Sequence, residues 1–558
     1  MTLPKFLAPA LRTPGLNRRR FLQVAGASMI VTGAGSFAMT SANAQVGGFK
    51  LHLLHINDMH SRVEEISGSD ATCSPTASAE GSCFGGAARL ATAIRGRRAE
   101  MDAAGTPVLT LDAGDQSQGT LFYTTYNGKA EIAMMNLIGF DAMTLGNHEF
   151  NNGPDMLAEM LATADFPIVA GNVKVPAGHA LEPLVQPHLI LERGGERIGI
   201  LGVLTPDTVF LSSPGQVTFQ DEVEHLQEAV ARLQAEGVNK IIVLSHAGIR
   251  RDEEIAAAVD GISLIVGGHS HTLLSNTDEA AHGAYPSMVA SPNGRAVPIV
   301  QSYAYSRYMG DLALEFDDAG AVVSATGDSI LLNATFEQAE DVLARVAALG
   351  GPIETLKNTP VTELAAPIDG SRDNCRAREC EMGNTVTDAM LARIDTPGIT
   401  IALGNGGGLR ASLEAGMITL GDVLTVLPFQ NKLYTMQLPG SAIVAALEHG
   451  VNGVEEAAGR FPQVAGLRFR LDPSVAPNAG RVSEVEVRSG DGWAPIDTNA
   501  MYGIVTNDFM AKGGDGFAML ATEGVDGYDT AIDLADALAE HLTENAPFSP
   551  VLDGRILQ

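Results

Sequence analysis

The chain is short of positive charge. Its 558 residues include 36 Lys and Arg against 66 Asp and Glu, which gives a formal net charge of −30. Residues 1–44 hold five basic and no acidic side chains, so the rest carries about −35 (−30 less five positive charges). Because phosphates would be repelled, this balance argues against a binder of polymeric nucleic acid. An anionic small substrate would need local cations, either a metal or a few placed arginines.

Cysteines and long apolar runs are also scarce. The chain has four cysteines, Cys73, Cys83, Cys375 and Cys380. Their spacing predicts two local disulfides, 73–83 and 375–380, in an oxidising compartment. A structural zinc site is the alternative, but it would join pairs roughly 300 residues apart. No segment after the N-terminus reaches membrane-spanning length without charge or glycine, so we expect neither a span nor a C-terminal lipid anchor.

Residues 1–44 have the pattern of an export signal. A basic region precedes an apolar stretch, 21–39, and the small-residue ending Ala42-Asn43-Ala44. The segment Arg18-Arg19-Arg20-Phe21-Leu22 resembles the twin-arginine signal, which implies the twin-arginine export machinery as a partner. An ordinary secretory signal is the alternative. Either signal predicts a periplasmic or secreted protein.

Length and pattern predict two domains of α/β (α+β) class joined by a helix. The chain is too long for one ordinary core. From Phe49 to about Phe316 apolar runs alternate with helical patterns, which predicts parallel or mixed sheets with helices outside. Residues 336–356 read as one amphipathic helix that Asn358-Thr359-Pro360 ends. The predicted boundaries are 1–44 for the signal, 45–335 for the first domain, 336–360 for the linker helix and 361–558 for the second domain.

Side chains of metal-ligand type follow five of the apolar runs. The predicted strands are 49–56, 108–113, 141–145, 167–170, 197–204, 240–245 and 263–267. The polar clusters are 57–60, 112–115, 146–151, 245–246 and 267–271. Ligands of α/β proteins usually bind at the carboxyl ends of such strands. Five clusters in order therefore predict a metal centre assembled at the edge of a sheet.

The donor types in these clusters suit divalent ions. Imidazole, carboxylate and amide oxygen together bind zinc, manganese, cobalt or iron. Asp58 and His60 would project to one side of an extended backbone, and the carboxylate of Asp115 can bridge two ions. His271 could reach an ion or the substrate. Two neighbouring ions activate a bridging hydroxide and clamp a phosphoryl group. The second ion would be completed by Asn147, His246 and His269.

These motifs resemble those of the calcineurin-like metallophosphoesterases and, among them, the 5'-nucleotidases, especially the animal ecto-enzymes. The resemblance extends from 53–60 to 515–517 and includes the cysteine pairs in 83–90 and 375–384. It implies a four-layer αββα metallophosphoesterase domain followed by an α/β nucleotide-binding domain. It also implies two divalent metal ions (zinc, manganese or cobalt). The implied ligands are Asp58, His60, Asp115, Asn147, His246 and His269.

The same resemblance gives the second domain a role in substrate binding. Members of the family stack the nucleotide base between two aromatic rings, and the matching positions are Phe461 and Phe509. Such stacking tolerates any base, because every base has a π-face. Ordinary core aromatics are the alternative for both rings. The positions that match ribose, base and phosphate contacts are Asp515, Asn405, Arg376 and Arg410.

One position departs from the resemblance. His148 matches the histidine that stabilises the phosphoryl transition state or assists the leaving group, and the family usually continues it as His-Glu-Phe-Asp. Here the last residue of that motif is Asn151. An amide oxygen can orient the imidazole, but it adds no negative charge to favour imidazolium. We expect a slower enzyme or a lower pH optimum, unless Asp155 or Glu149 supplies the charge.

The resemblance implies hydrolysis of nucleoside 5'-monophosphates to nucleoside and phosphate. Cleavage of UDP-sugars or 2',3'-cyclic nucleotides, and a thiosulfohydrolase of sulfur oxidation, are alternatives within the same architecture. A nucleotide-binding or metal-scavenging protein is the non-catalytic alternative, against which the complete ligand set argues. The histidines that match no pattern, expected to be surface or core residues, are His52, His55, His179 and His188.

Overall fold

Two large sheets and a small pair, Val173–Lys174 with Thr218–Phe219, form the first half of the computed structural model, which describes residues 48–558 except 69, 71–72, 395, 430 and 491. The seven-stranded sheet has the order Val322–Leu331, Tyr308–Phe316, Phe49–Ile56, Val108–Asp112, Ala142–Met143, Ile168–Val169, Val185–Gln186. The six-stranded sheet has the order Ser287–Ala290, Ala296–Val300, Leu264–Gly267, Lys240–His246, Glu196–Leu204, Leu189–Arg193. The predicted export signal, residues 1–44, lies outside the described residues.

Parallel pairing brings the carboxyl ends of the central strands together. Phe49–Ile56 pairs in parallel with Val108–Asp112, which pairs in parallel with Ala142–Met143. In the other sheet Lys240–His246 pairs in parallel with Leu264–Gly267. All seven predicted strands are present, with ends that differ by at most two residues. The polar clusters that follow these strands therefore lie next to one another at the carboxyl ends of the strands.

Helices cover the outer face of each sheet, so this half has four layers. Ala87–Ala104, Lys129–Ile138 and Gly153–Leu161 pack on the seven-stranded sheet. Glu222–Ala235 and Ile249–Ala258 pack on the six-stranded sheet. A third apolar cluster lies between the sheets and includes Leu53, Leu111, Ile242 and Leu264. The predicted α/β class and αββα layering are confirmed. Shorter helices of this half are Pro75–Ala79, Leu121–Tyr126 and Thr208–Leu211.

The connection to the second half is helical but broken. It consists of the helix Glu340–Gly350, a 3-10 turn at Gly351–Ile353 and a short helix, Glu354–Lys357. Gly350-Gly351-Pro352 explains the break, because proline lacks a backbone donor and glycine weakens a helix. The prediction of a single helix over 336–356 is wrong in this respect.

The second half is built on a five-stranded and a four-stranded sheet. The first has the order Pro462–Ala465, Ile399–Asn405, Met501–Asn507, Lys432–Pro439, Val525–Asp533. The second has the order Gly492–Pro495, Val482–Ser489, Leu467–Leu471, Ile556–Leu557, and Pro360–Leu364 pairs separately with Gly416–Thr419. Apolar clusters cover both faces of the five-stranded sheet, since Ala402 lies in one and its neighbours Ile401 and Leu403 in the other. The helices are Arg372–Cys375, Glu381–Arg393, Leu420–Val426, Gly440–Val451, Asp508–Ala511, Ala518–Glu523 and Leu534–Glu544.

Both predicted disulfides, Cys73–Cys83 and Cys375–Cys380, are formed. Cys375 ends a short helix, and Cys380 caps the N-terminus of Glu381–Arg393. The second bond therefore fixes the loop that begins with Arg376. None of the helices in the described ranges has the length and apolarity needed to cross a membrane.

Candidate active site

The predicted metal-ligand clusters converge at one place. Three groups of possible ligand atoms share residues here, and within each group the atoms lie within 4.8 Å of one another: Asp58, His60 and His271; His60, Asp115 and His148; and Asp115, His246 and His269. Asn147 joins them, because its Oδ1 lies 2.9 Å from His269 Nδ1. The fold thus brings all six predicted ligands and His271 together.

The carboxylate of Asp115 lies between two imidazoles. Its Oδ2 is 3.1 Å from His246 Nε2 and 3.8 Å from His60 Nε2. Oδ1 of Asp58 lies 3.9 Å from His60 Nε2 and 4.0 Å from His246 Nε2. A carboxylate that lies between the metal-binding nitrogens of two imidazoles has the position that a ligand bridging two ions requires.

The ligand loops adopt left-handed backbone conformations. Asp58, His60 and Asp115 have φ angles of 52°, 49° and 57°, which non-glycine residues seldom adopt. Glycines let these loops approach one another: a Cβ on Gly114 would lie 2.6 Å from the backbone nitrogen of Gly146. A Cβ on Gly146 would lie 2.1 Å from Asp115 Oδ1. Strain of this kind is concentrated at functional sites.

Hydrogen bonds fix which ring nitrogen faces the cluster. Nδ1 of His60 donates to the carbonyl of Ser117 at 3.0 Å, and Nδ1 of His246 donates to the carbonyl of Ala113 at 2.7 Å. Both Nε2 atoms are left for the cluster, as in metal sites generally. Nε2 of His246 is buried, and its neighbour Oδ2 of Asp115, 3.1 Å away, does not meet it with hydrogen-bond geometry. A divalent ion would satisfy it. The residues therefore fit metal ions.

Burial and neighbouring charges set the protonation of the ligands. Burial lowers the pKa of His269 to about 3, and burial together with Arg410 lowers the pKa of His60 well below its usual range. Both imidazoles are therefore in the neutral form that binds metal. At His246 the facing carboxylate of Asp115 outweighs burial and raises the pKa to about 10. The same carboxylate charge that favours a protonated His246 also favours a metal cation in this cluster.

His148 lies beside the cluster and is paired with Asn151. Its Nδ1 is 2.7 Å from Asn151 Oδ1, and its ring centroid is 5.2 Å from that of His60. Burial lowers the pKa of His148 to about 4; Asp115 raises it and Arg410 lowers it further. The imidazole is therefore neutral at pH 7, with Nδ1–H donated to the amide oxygen of Asn151.

Neither nearby carboxylate replaces the charge that Asn151 lacks. Asp155 Oδ1 lies 3.2 Å from Nε2 of His179. The carboxylate of Glu149 is occupied by backbone N–H groups at 3.0, 3.0 and 2.6 Å, from Asp115, Ser117 and Gly146. Glu149 thus braces the two ligand loops, and the sequence-based suggestion that either acid compensates for Asn151 is not supported.

The metal-ligand cluster opens into a cleft of about 2040 Å³ between the two halves of the chain. The first half contributes the cluster around Asp115 and His148. The second half faces it across the cleft. Its predicted substrate-binding residues that line the cleft are Arg376, Asn405, Arg410, Phe509 and Asp515. The cleft therefore joins the predicted metal centre and the predicted nucleotide site.

Arginines of the second half lie at the metal side of the cleft. Nη2 of Arg410 donates to His60 Nε2 at 3.0 Å, so a metal ion would compete with it for that lone pair. Burial, together with Arg372 and Arg410, lowers the pKa of Arg376 well below its usual range. Nε of Arg376 is buried and unpartnered within the described ranges. Buried cations that destabilise one another form a site for an anion such as phosphate.

Arg372 is a cleft residue that the sequence-based reasoning missed. It lies one helical turn before Arg376 and lines the cleft. Burial raises the pKa of Asp58 to about 7, and the positive charge of Arg372 is close enough to lower that pKa. The spacing of four between two arginines beside a cysteine was the available signal, since such residues share one face of a helical turn.

The predicted nucleoside contacts are only partly in place. Nδ2 of Asn405 donates to Asp515 Oδ2 at 2.6 Å, and the ring of Phe509 lines the cleft. Phe461 does not line it: its side chain is 0% exposed, in the core cluster that includes Phe469 and Phe517. The stacking role predicted for Phe461 is therefore corrected to that of a core aromatic, which was the alternative.

The histidines without a predicted role lie outside the cluster. His52 and His55 are buried, 2.8 Å from Asp311 Oδ1 and 2.9 Å from the Tyr285 hydroxyl. Those with partial exposure are His179 and His188. The expectation of surface or core positions is confirmed.

Comparisons with known proteins identify the families that the two halves of the chain match. Residues 51–273 match the calcineurin-like phosphoesterase family, and residues 352–522 match the 5'-nucleotidase C-terminal domain. The 5'-nucleotidase of Bos taurus is 36% identical over 531 residues, 91% of each chain. The crystal structure of a 5'-nucleotidase precursor from Thermus thermophilus is 39% identical, with a TM-score of 0.86 over 91% of this chain and 99% of that one.

The fold and the donor cluster define a hydrolase of the calcineurin-like phosphoesterase class, in which the family implies divalent metal ions. The chain belongs to the 5'-nucleotidase family. A sulfate thiohydrolase, SoxB of Thermus thermophilus, is 21% identical with a TM-score of 0.74 over 91% of this chain. That likeness shows a common fold alone.

Proposed function

We propose that the chain is an exported, periplasmic 5'-nucleotidase that uses two divalent ions to hydrolyse nucleoside 5'-monophosphates. The observation that carries this proposal is the meeting, in one cleft, of a carboxylate–imidazole cluster from one half with arginines and nucleoside-type contacts from the other. The cluster suits cations, and the arginines suit a phosphate. A protein that only binds nucleotides would not need the cluster.

Each half has a separate task in this reaction. When bound, the ions would supply Lewis-acid polarisation of the phosphoryl group and a lowered pKa of the attacking water. The arginines would hold the phosphate through charge-assisted hydrogen bonds. Asp515 would accept from the ribose hydroxyls, and Phe509 would offer a ring to the base. The ions would be held by Asp58, His60, Asp115, Asn147, His246 and His269.

His148 would assist departure of the nucleoside oxygen. Its proton lies on Nδ1, toward Asn151, so Nε2 can donate only after the ring takes up a second proton. With a pKa of about 4, little imidazolium is present at neutral pH. At neutral pH the ring would therefore present Nε2 mainly as a hydrogen-bond acceptor, and it would donate a proton to the nucleoside oxygen mainly at low pH.

Larger substrates are a second candidate for the same site. The cleft volume of about 2040 Å³ exceeds the roughly 300–1,000 Å³ of ordinary small-ligand sites. This room favours a UDP-sugar as a further substrate, whereas a 2',3'-cyclic nucleotide is no larger than a nucleoside monophosphate and is not distinguished by volume. The thiosulfohydrolase alternative would leave Asp515 and Phe509 without a purpose.

A substrate panel tests the proposed function. Products are measured for three substrates, each with added manganese, cobalt or zinc: phosphate from adenosine monophosphate, UMP and sugar phosphate from a UDP-sugar, and the nucleoside monophosphate from a 2',3'-cyclic nucleotide. We expect the monophosphate to be hydrolysed with at least one of these metals. Tight nucleotide binding without hydrolysis of any substrate would instead identify a binding protein.

The export route has its own test. Replacing Arg18 and Arg19 with lysine in the full-length chain should block export if the twin-arginine machinery carries it. Export that is unaffected by the double substitution would indicate the ordinary secretory route instead.

A further inference from the structure

Arg62 is a buried cation whose partners are carbonyl oxygens. Its side chain is among the largest fully buried ones. Nη1 donates to the carbonyl of His60 at 2.9 Å, and Nη2 donates to the carbonyl of Arg410 at 3.2 Å. The guanidinium lies 4.4 Å from the ring centroid of Tyr305, and Nε is buried without a partner in the described part of the chain. Burial of this kind is unfavourable for a cation that is not paired with a carboxylate.

The two carbonyls belong to loops on opposite sides of the cleft. His60 is a predicted metal ligand two residues from Arg62, whereas Arg410 is a predicted phosphate contact 348 residues away. A guanidinium presents its donors in a rigid planar fork, so it can fix the distance between two acceptors. Arg62 thus joins the metal-ligand loop of the first half to the phosphate-binding loop of the second.

The residues packed around Arg62 leave room only for its guanidinium in the observed position. Gly119 has a φ of 130°, and a Cβ at that position would lie 1.8 Å from Arg62 Nη1 and 2.3 Å from the His60 carbonyl. Any side chain at 119 would therefore displace the guanidinium from that carbonyl. Tyr305, which packs on the guanidinium, has a φ of 61°, and its backbone N–H donates to the carbonyl of Asp58 at 2.8 Å. The same neighbourhood thus supports a second metal-ligand residue.

We propose that Arg62 is a positioning residue that sets the Arg410 loop against the metal-ligand loop. It touches neither substrate nor reacting atoms and acts through the Arg410 backbone. With the backbone held, the Arg410 side chain is free to move from His60 Nε2 to a phosphate when a metal ion takes that lone pair. The inference rests on the proposed function, in which Arg410 binds the substrate phosphate.

A double-mutant cycle on kcat/KM for adenosine monophosphate tests this role. Arg62→Lys keeps the charge but cannot donate to both carbonyls through one planar group. We expect it to lower kcat/KM about 10- to 100-fold, the scale of small misplacements in active sites. In an Arg410→Ala background the same substitution should change kcat/KM less than about two-fold, because the side chain to be positioned is gone. Effects that multiply in full would overturn the proposal.

Arg89→Lys is the matched control, because Arg89 is also buried but pairs with Glu65 away from the cleft. Its effect should be the same with and without Arg410. If Arg62→Lys does not fold, Arg62→Gln, which keeps a donor without the charge, takes its place in the cycle.

Hydrogen exchange separates this proposal from the proposed function. Substitution of Arg62 should accelerate exchange across residues 406–412, whether or not the protein hydrolyses nucleotides. Unchanged hydrogen exchange across these residues would refute the proposal that Arg62 holds the Arg410 loop. Accelerated exchange in a protein that hydrolyses none of the substrates would refute the proposed function. It would still support the role of Arg62 in holding the Arg410 loop.

Discussion

Replacing Asn151 with aspartate should increase activity at neutral pH. Oδ1 of Asn151 lies 2.7 Å from His148 Nδ1, so a carboxylate oxygen can take the same place without repacking. The substitution changes one neutral acceptor into a charged one beside an imidazole whose pKa burial has lowered to about 4. A negative charge at this distance favours imidazolium.

The size of the effect follows from the titration of His148. With a pKa of about 4, roughly one molecule in a thousand carries imidazolium at pH 7. An adjacent carboxylate shifts a pKa by about 1–3 units, so the imidazolium fraction should rise at least about 10-fold. Because the pKa is depressed, the acid function of wild type is present at low pH and lost as pH rises through about 4. The substitution should move that loss to higher pH.

The assay is the pH profile of kcat/KM for adenosine monophosphate in both proteins. Asn152→Asp is the positional control: it adds the same charge one residue later, where the Asn152 side chain donates to Asn127 and not to His148. It should shift the profile much less. If Asn151→Asp changes neither the rate nor the pH profile, Asn151 does not limit the acid function of His148.

Three further predictions concern the cleft. Phe509→Ala should raise KM for adenosine monophosphate, because its ring lines the cleft; an unchanged KM would contradict the stacking role. Phe461→Ala should instead lower the free energy of unfolding by about 3–5 kcal/mol, measured by denaturant titration, as loss of a core aromatic does. A raised KM with unchanged stability would restore Phe461 to the base site. Arg372→Met should raise KM and weaken inhibition by inorganic phosphate about 10-fold or more, since hydrogen bonds to charged groups contribute about 1.5–3 kcal/mol. If KM and the inhibition constant of phosphate equal those of the wild type, Arg372 does not belong to the phosphate site.

The metal-ligand cluster could be predicted because its position depends on simple rules. Strands such as Phe49–Ile56 and Lys240–His246 are buried on both faces, so they read as continuous apolar runs that are easy to recognise. The polar residues that follow parallel strands meet at one edge of the sheets. Register and twist did not have to be known for that conclusion.

The cleft residues of the second half depend on tertiary packing. Whether Phe461 faces the cleft or the core is decided by the strand that follows it, Pro462–Ala465, and by its pairing with Ile399–Asn405. Local sequence carries no such information. Arg372 lines the cleft and interacts with Asp58 because of where the chain places a short helix beside a disulfide, which no motif describes.

The proposed function requires the six-residue cluster to bind two ions that act on a nucleotide phosphate. The most direct measurement is phosphate release from adenosine monophosphate by chelator-treated protein, followed as manganese is added back in known equivalents. We expect negligible release without metal and a rise that saturates at about two equivalents per chain. Undiminished release after chelation, or no release at any metal concentration, would contradict it.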